Sequence, residues 1–184
     1  MKIIDIQDTP NPNAMKFVLD APLTVMGVTR MFHSAEDAEG VPLADELFAI
    51  EHVESVYFAD RWLTVTQDGG ADWHGLLREV AVPIRGAESP RLGASAKELE
   101  GEEEGVGLDD PRIPVIRDII EDYILPYLEA DGGGIKIKGL VDDQLFIQYE
   151  GACGTCPSAT TGTIMAIEAL IQREVDPELD VVPV

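Results

Sequence analysis

Two cysteines separated by two residues are the side chains of this sequence best suited to metal or redox chemistry. Cys153 and Cys156 lie in the segment GACGTCPS at residues 151–158, and the chain of 184 residues contains no other cysteine. A tetrahedral zinc ion or an iron–sulfur cluster takes four protein ligands, and thiolates are the usual ligands of a cluster. Because one chain supplies two thiols, the simplest complete thiolate shell uses the same pair from a second copy.

The local sequence favours a reactive pair but leaves its chemistry open. Gly151 and Gly154 lack side chains, so backbone N–H groups are expected near the sulfur atoms, on an exposed loop. A helix predicted to begin near Pro157 lowers the pKa of a nearby thiol through its dipole. Four interpretations remain: a cluster bridging two subunits, a zinc site shared by two subunits, a thiol–disulfide redox pair and a structural pair.

Periodicity predicts the elements that position this pair. Upstream of it, apolar spacing predicts a helix at 113–128 that Pro126 kinks or shortens, and a tight turn at 131–134 precedes two strands. Downstream, a helix begins near Pro157 and a last strand closes the chain. The predicted strands lie at 135–140, 145–149 and 179–184.

The first half of the chain reads as a separate α+β domain. A strand at 14–19 is followed by a helix at 42–50, with Pro42 in its first turn. Two β-rich runs at 53–58 and 62–66 predict a hairpin. A last helix is predicted from Asp72 to about Ala81, ended by Pro83.

Residues 85–111 lose hydrophobic periodicity and are rich in Gly, Ser, Pro and Glu, which is typical of a solvated linker. The sequence therefore predicts an α+β protein of two small α/β sandwich-like domains joined by an acidic flexible linker. The predicted domains are 1–84 and 112–184, with the linker at 85–111.

The charge balance restricts the classes of partner. With 35 acidic and 13 basic residues, the formal net charge is -22. Affinity for nucleic acid depends on Lys and Arg that neutralise phosphates, and an anionic membrane repels such a chain. The N-terminal segment lacks the pattern of a secretory or organelle signal. We therefore expect a cytoplasmic protein that binds neither nucleic acid nor membrane.

Both halves of the chain contain distinctive motifs. In the second half, the segment DGG at 131–133 is followed by two predicted strands and by GACGTCPS before an amphipathic helix. In the first half, the motifs are TPNPNAMKF at 9–17, PLADELF at 42–48, and the residues 56–58 and 64–66. Residues 112–184, approximately, resemble the C-terminal domain of the NifU/Nfu iron–sulfur proteins, and the first half resembles the Nfu N-terminal domain.

This resemblance implies a non-enzymatic role. Cys153 and Cys156 of two subunits would bind one [4Fe-4S] cluster per homodimer and pass it to apo iron–sulfur acceptor proteins. Upstream cluster-assembly proteins are the other implied partners, and the N-terminal domain would recognise either class. The alternatives are a thiol–disulfide oxidoreductase with Cys153 as nucleophile and Cys156 as resolving thiol, or a zinc-linked structural dimer.

Overall fold

The computed structural model describes residues 1–25, 27–88, 105–154 and 157–184, and for residues 157–161 it describes the backbone alone. The chain forms two compact units, Met1–Gly101 and Glu102–Val184. Each unit combines helices with one β-sheet, which confirms the predicted α+β class with two domains. Most of the predicted linker, residues 89–104, lies outside the described residues, so the domain limits remain a prediction.

The described part of the N-terminal unit contains five strands and two helices. They are β1 (Ile3–Asp8), β2 (Ala14–Leu19), β3 (Thr29–Phe32), α1 (Pro42–Phe48), β4 (Val53–Ala59), β5 (Trp62–Gln67) and α2 (Trp73–Gly86). The strands form one sheet in the order β1-β2-β5-β4-β3, and each neighbouring pair is antiparallel. A single core joins sheet and helices, and it includes Phe17, Leu47, Val65 and Val80.

The predicted hairpin is confirmed as β4 and β5. Ala59 pairs with Trp62, which leaves Asp60 and Arg61 as a two-residue loop. Asp60 has a φ of 35°, a positive value that Asp tolerates better than most residues. The strand at 14–19 and a helix beginning at Pro42 are confirmed as well. The two edge strands of the sheet, β1 and β3, are not predicted by the sequence patterns.

Helix α2 continues beyond the point at which the sequence predicts its end. Asp72 caps its start, since the carboxylate accepts a hydrogen bond from the backbone N–H of His74 at 3.2 Å. The predicted end at Pro83 is wrong, because the helix runs on to Gly86. Proline removes one backbone hydrogen bond, but the following Ile84 is fully buried in the core, and its burial favours another helical turn.

The described part of the C-terminal unit contains three helices and three strands. They are α3 (Ile113–Tyr123), α4 (Leu125–Ala130), β6 (Gly133–Val141), β7 (Gln144–Gly151), α5 (Pro157–Glu174) and β8 (Asp180–Pro183). Strands β6 and β7 pair antiparallel, whereas β7 and β8 pair parallel. The parallel direction follows because helix α5 connects the two strands and carries the chain back along the sheet. The predicted last strand is thereby confirmed.

Proline 126 divides the first helical stretch of this unit, as predicted. Helix α3 ends at Tyr123, and α4 begins at Leu125 with the proline in its first turn. The proline ring excludes a regular helical hydrogen bond to the residue four positions earlier. The turn that follows is shorter than predicted, because Gly132 has a φ of 77° and strand β6 already begins at Gly133.

Described residues of both units lie within the segment that we predict as linker. Arg85 and Gly86 belong to α2. On the other side, Val106 forms a parallel bridge with Gly139 of β6, and its carbonyl accepts the N–H of Leu140 at 2.9 Å. Residues around Val106 are therefore part of the C-terminal unit.

One arginine connects three turns of the C-terminal unit. The guanidinium of Arg112 binds both carboxylate oxygens of Asp110 at 3.0 Å. It also contacts the carboxylates of Asp143 at 3.2 Å and Asp176 at 3.3 Å, and the carbonyl oxygen of Asp142 at 2.8 Å. These contacts join the start of α3 to the β6–β7 turn and to the segment between α5 and β8.

Candidate functional site

The cysteine segment leaves the sheet at the end of β7. Gly151 is the last residue of β7, pairs with Gly133 of β6 and has a φ of 62°, which turns the chain. The N–H of Ala152 donates to the carbonyl of Gly132 at 3.1 Å, and the N–H of Gly154 donates to the carbonyl of Gly151 at 3.2 Å. Backbone hydrogen bonds on both sides therefore fix the position of Cys153.

Cys153 is buried, which corrects the expectation of an exposed loop. Its residue surface is 5% exposed, and its side chain belongs to the core of the C-terminal unit. The sulfur lies against the backbone of Gly133, where an added Cβ would be 2.6 Å from Cys153 Sγ. Cys153 is not exposed because the turn at Gly151 directs it back towards β6 rather than into solvent.

Cys156, the second predicted ligand, lies outside the described residues, and its role remains a prediction. The sequence analysis expects backbone N–H groups of the loop near the sulfur atoms, but the N–H of Gly154 has a different partner. The N–H of Gly154 is donated to Gly151 within the turn and serves the loop itself. Helix α5 begins at Pro157, as predicted, so its N-terminal dipole lies directly after the cysteine segment.

The sequence analysis does not predict the roles of three residues near Cys153. Gly133 accommodates the sulfur, whereas the sequence analysis places it only in the DGG segment and in the predicted turn at 131–134. Tyr149 is buried on β7, and its hydroxyl has no hydrogen-bond partner among the described residues. Burial, with a smaller electrostatic effect of the neighbouring Cys153, raises the pKa of Tyr149 to about 12.

Glu150 is the third of these residues, and its charge is compensated. Its side chain is almost completely buried, and its carboxylate contacts Lys136 Nζ at 2.9 Å. This pair links β7 to β6 two residues before the turn at Ala152. A buried carboxylate without such a partner is strongly destabilising, so the lysine permits the acid to lie beside the cysteine segment.

The part of the chain that the structure describes contains no candidate metal centre formed by its own side chains. Within residues 1–25, 27–88, 105–154 and 157–184, no three or more His, Cys, Asp or Glu side chains form a group that could hold a metal ion. His52, one of three histidines, pairs instead with the carboxylate of Asp68 at 3.1 Å. None of the described helices is both long and apolar enough to span a membrane.

Comparisons with known proteins relate both units to one family. Residues 4–88 match the family model described as scaffold protein Nfu/NifU N terminal. Residues 116–182 match the model of the NifU-like domain. The two models therefore follow each other along the chain and cover most of the described residues of both units.

Individual relatives match over nearly the whole chain. The NFU1 iron–sulfur cluster scaffold homolog, mitochondrial, of Homo sapiens is 32% identical over 170 residues, covering 92% of this chain and 66% of the human protein. Its counterpart in Drosophila ananassae is 30% identical over 179 residues, covering 92% of this chain and 59% of the relative. The chain thus spans 66% and 59% of the lengths of these two relatives.

Several solved structures resemble part of the chain. The crystal structure of protein SAV1430 from Staphylococcus aureus covers 46% of this chain and 99% of that protein, with 25% identity and a TM-score of 0.41. The two family models and the human relative carry the assignment. The chain belongs to the Nfu/NifU-like family of scaffold proteins.

Proposed function

We propose that this protein takes part in iron–sulfur cluster assembly as a scaffold and carrier, and that it is not an enzyme. Cys153 and Cys156 of two copies together hold one [4Fe-4S] cluster, which is the cargo and is delivered to apo-proteins. The observation that carries the proposal is a C-x-x-C segment placed between β7 and α5 of a NifU-like domain. The curated relatives, which are longer, are named as iron–sulfur cluster scaffold homologs.

The number of available ligands supports sharing between copies. The sequence contains two cysteines, whereas the cluster needs four thiolates. No candidate metal group of three or more side chains occurs among the residues that the structure describes. A homodimer that pools both cysteine pairs completes the coordination without recruiting ligands of a different chemical type.

The same arrangement suits release of the cargo. Thiolates of an acceptor protein displace the donor thiolates from iron one after another. Each copy of the carrier holds the cluster through two bonds, so fewer bonds per chain must break than in a site with four ligands from one fold. The partners are apo iron–sulfur proteins and upstream assembly proteins, and we assign their recognition to the N-terminal unit.

The acidic surface and the compartment complete the proposal. A net charge of -22 disfavours nucleic acid and anionic membranes as partners. We place the protein in the cytoplasm, although the two relatives compared above are named mitochondrial.

A thiol–disulfide oxidoreductase is the main rival. The attacking thiol of such an enzyme must be accessible to the substrate disulfide. Cys153 is buried in the core of its unit, so disulfide exchange and cluster binding both require its sulfur to leave that position, and experiment must separate them. A structural zinc site shared by two copies is the second rival, since zinc also binds four thiolates.

Anaerobic reconstitution of the full chain with ferrous iron and sulfide separates the three functions. We expect native mass spectrometry to find a dimer that carries about four iron atoms, with the visible absorption of a cluster. A colourless chain that catalyses disulfide reduction would establish the enzyme. A colourless dimer with one tightly bound zinc ion would establish the structural site.

Cysteine variants then test the ligands. Cys153→Ser and Cys156→Ser are each expected to lose most of the bound iron while the far-ultraviolet circular dichroism stays unchanged. A variant that lacks both cysteines serves as the baseline for non-specific iron. Iron content equal to that of the unmodified chain in any of these variants would eliminate the proposed coordination.

A further inference from the structure

The sulfur of Cys153 occupies space that a side chain at position 133 would need. An ideal Cβ on Gly133 would lie 2.6 Å from Cys153 Sγ and 3.0 Å from Cys153 Cβ. Both separations are far below ordinary contact between such atoms, which is about 3.5–4.0 Å. The absence of a side chain at Gly133 is therefore a condition for the observed position of the sulfur.

This position shelters the thiol. Cys153 is 5% exposed and packs in a core cluster that also contains Leu128, Tyr149 and Ile167. Protein interiors are packed as densely as organic crystals, so a reagent or a metal centre cannot enter without a local rearrangement.

Backbone hydrogen bonds and strand pairing hold the segment in this position. The N–H of Ala152 bonds to the carbonyl of Gly132 at 3.1 Å, and the N–H of Gly154 closes the turn onto Gly151 at 3.2 Å. The end of the β6–β7 ladder at Gly133 and Gly151 lies immediately beside them. Local opening of this segment breaks a part of the contacts of the unit and therefore needs less free energy than unfolding of the whole unit.

A cluster shared between two copies requires each sulfur to reach iron outside its own core. We infer that Gly133 is a positioning residue that holds Cys153 in a sheltered resting position, and that loading releases the sulfur by local opening of residues 151–154. The link to loading rests on the proposed function. The sheltered position itself belongs to the chain without iron and is tested there.

The test follows alkylation of Cys153 by iodoacetamide in the full chain carrying Cys156→Ser, so that one thiol reacts. In the absence of denaturant, this parent is expected to react at least about tenfold more slowly than the same chain unfolded in urea. Equal rates in the two conditions would overturn the sheltered position.

Gly133→Ala in this parent is expected to increase the alkylation rate about tenfold, since one extra methyl group in a packed core shifts a local equilibrium by about that factor. Gly162→Ala is the matched control, because an added Cβ there meets no atom within 4 Å. It should leave the alkylation rate unchanged. A folded Gly133→Ala chain that reacts at the parent's rate would refute the role of Gly133.

An added Cβ at position 133 would also lie 2.7 Å from the carbonyl oxygen of Glu150, and this clash could prevent Gly133→Ala from folding. A second measurement, made on the parent, tests the inference in that case. In the parent, low concentrations of urea should barely change the alkylation rate, since local opening exposes little surface. A rate that rises with urea as steeply as global unfolding would overturn local release.

Iron uptake separates this inference from the proposed function. Gly133→Ala in the chain with both cysteines should take up iron and sulfide faster than the unmodified chain, with the same final iron content. Equal uptake rates, together with faster alkylation, would refute the link to loading while leaving the sheltered position intact. A chain that takes up no iron refutes the proposed function, whereas the alkylation result still decides the role of Gly133.

Discussion

Replacing Arg112 by alanine should destabilise the C-terminal unit alone. The Arg112 side chain is 26% exposed, and its guanidinium contacts three carboxylates, of Asp110, Asp143 and Asp176, whose side chains are 26%, 51% and 32% exposed. It also donates to the carbonyl of Asp142 at 2.8 Å. Removal of the arginine leaves three neighbouring acidic side chains without their shared cation.

The expected magnitude follows from the exposure of these groups. A partly exposed ion pair contributes about 0.2–1 kcal/mol, and a hydrogen bond that involves a charged group contributes about 1.5–3 kcal/mol. With the contacts counted together, Arg112→Ala should lower the free energy of unfolding by about 2–4 kcal/mol. Arg112→Lys keeps the charge but loses the planar fork, so its effect should be smaller.

Urea unfolding of the full chain measures this effect in each unit. Trp62 and Trp73 both lie in the N-terminal unit, so tryptophan fluorescence reports that unit. Circular dichroism reports both units. We expect Arg112→Ala to shift the dichroism transition to lower urea and to leave the fluorescence transition unchanged. Arg173→Ala is the matched control, because Arg173 is 69% exposed and pairs with Glu174.

Salt and pH supply independent checks. Hydrogen bonds from the side chain and the backbone N–H of Arg112 lower the pKa of Asp110. The contribution of Asp110 to the free energy of unfolding is therefore complete above the ordinary pKa of Asp. It is lost as the pH falls through the lower pKa that Asp110 has in the folded chain. The difference between Arg112→Ala and the unmodified chain should shrink in acid and at about 1 M salt. A loss below about 0.5 kcal/mol at neutral pH would refute this account of the network.

Three further predictions concern burial and backbone geometry. Tyr149→Phe should stabilise the C-terminal unit by about 1 kcal/mol in urea unfolding, because it removes a buried hydroxyl that has no partner among the described residues. Because the pKa of Tyr149 is raised to about 12 in the folded chain, the free energy of unfolding should fall as the pH rises from 10 to 12. This fall should be smaller in Tyr149→Phe than in the unmodified chain, and falls of equal size would contradict the prediction. Ile84→Ala should lower the stability of the N-terminal unit by about 2–5 kcal/mol, measured by tryptophan fluorescence, because Ile84 is fully buried after Pro83. Gly107→Ala should destabilise the C-terminal unit in thermal unfolding, because Gly107 has a φ of 71° and an added Cβ would collide with the carbonyl of Leu140; an unchanged midpoint would argue against that packing.

The elements with strong local signals were predictable from the sequence. The β4–β5 hairpin has β-branched and aromatic runs on both sides of a short polar loop, and Pro126 marks the break between α3 and α4. These signals act over a few residues, so no knowledge of tertiary contacts is needed to interpret them.

The two edge strands of the N-terminal sheet were not predictable in the same way. In β1, Ile4 is 65% exposed, so its apolar residues do not follow a simple alternation between core and solvent. Strand β3 has four residues, and its conformation depends on pairing with β4. Whether such segments form strands depends on their pairing with distant parts of the chain.

In the candidate site, too, some features follow from local sequence signals and others depend on distant contacts. The positions of the cysteines between a strand and a helix follow from the sequence, as does the start of α5 at Pro157. The burial of Cys153 does not, because it depends on contact with Gly133, twenty residues earlier in a different strand. The Arg112 network likewise joins turns that are distant in sequence.

The buried position of Cys153 also affects how the protein tolerates oxidants. Peroxide reacts with accessible thiolates, first to sulfenic acid and then irreversibly to sulfinic and sulfonic acids. A buried sulfur that lies against the backbone of β6 is shielded from this attack. Cys153, one of the two proposed cluster ligands, is therefore protected from irreversible oxidation in the observed position, and the proposed opening of residues 151–154 would expose it to such damage.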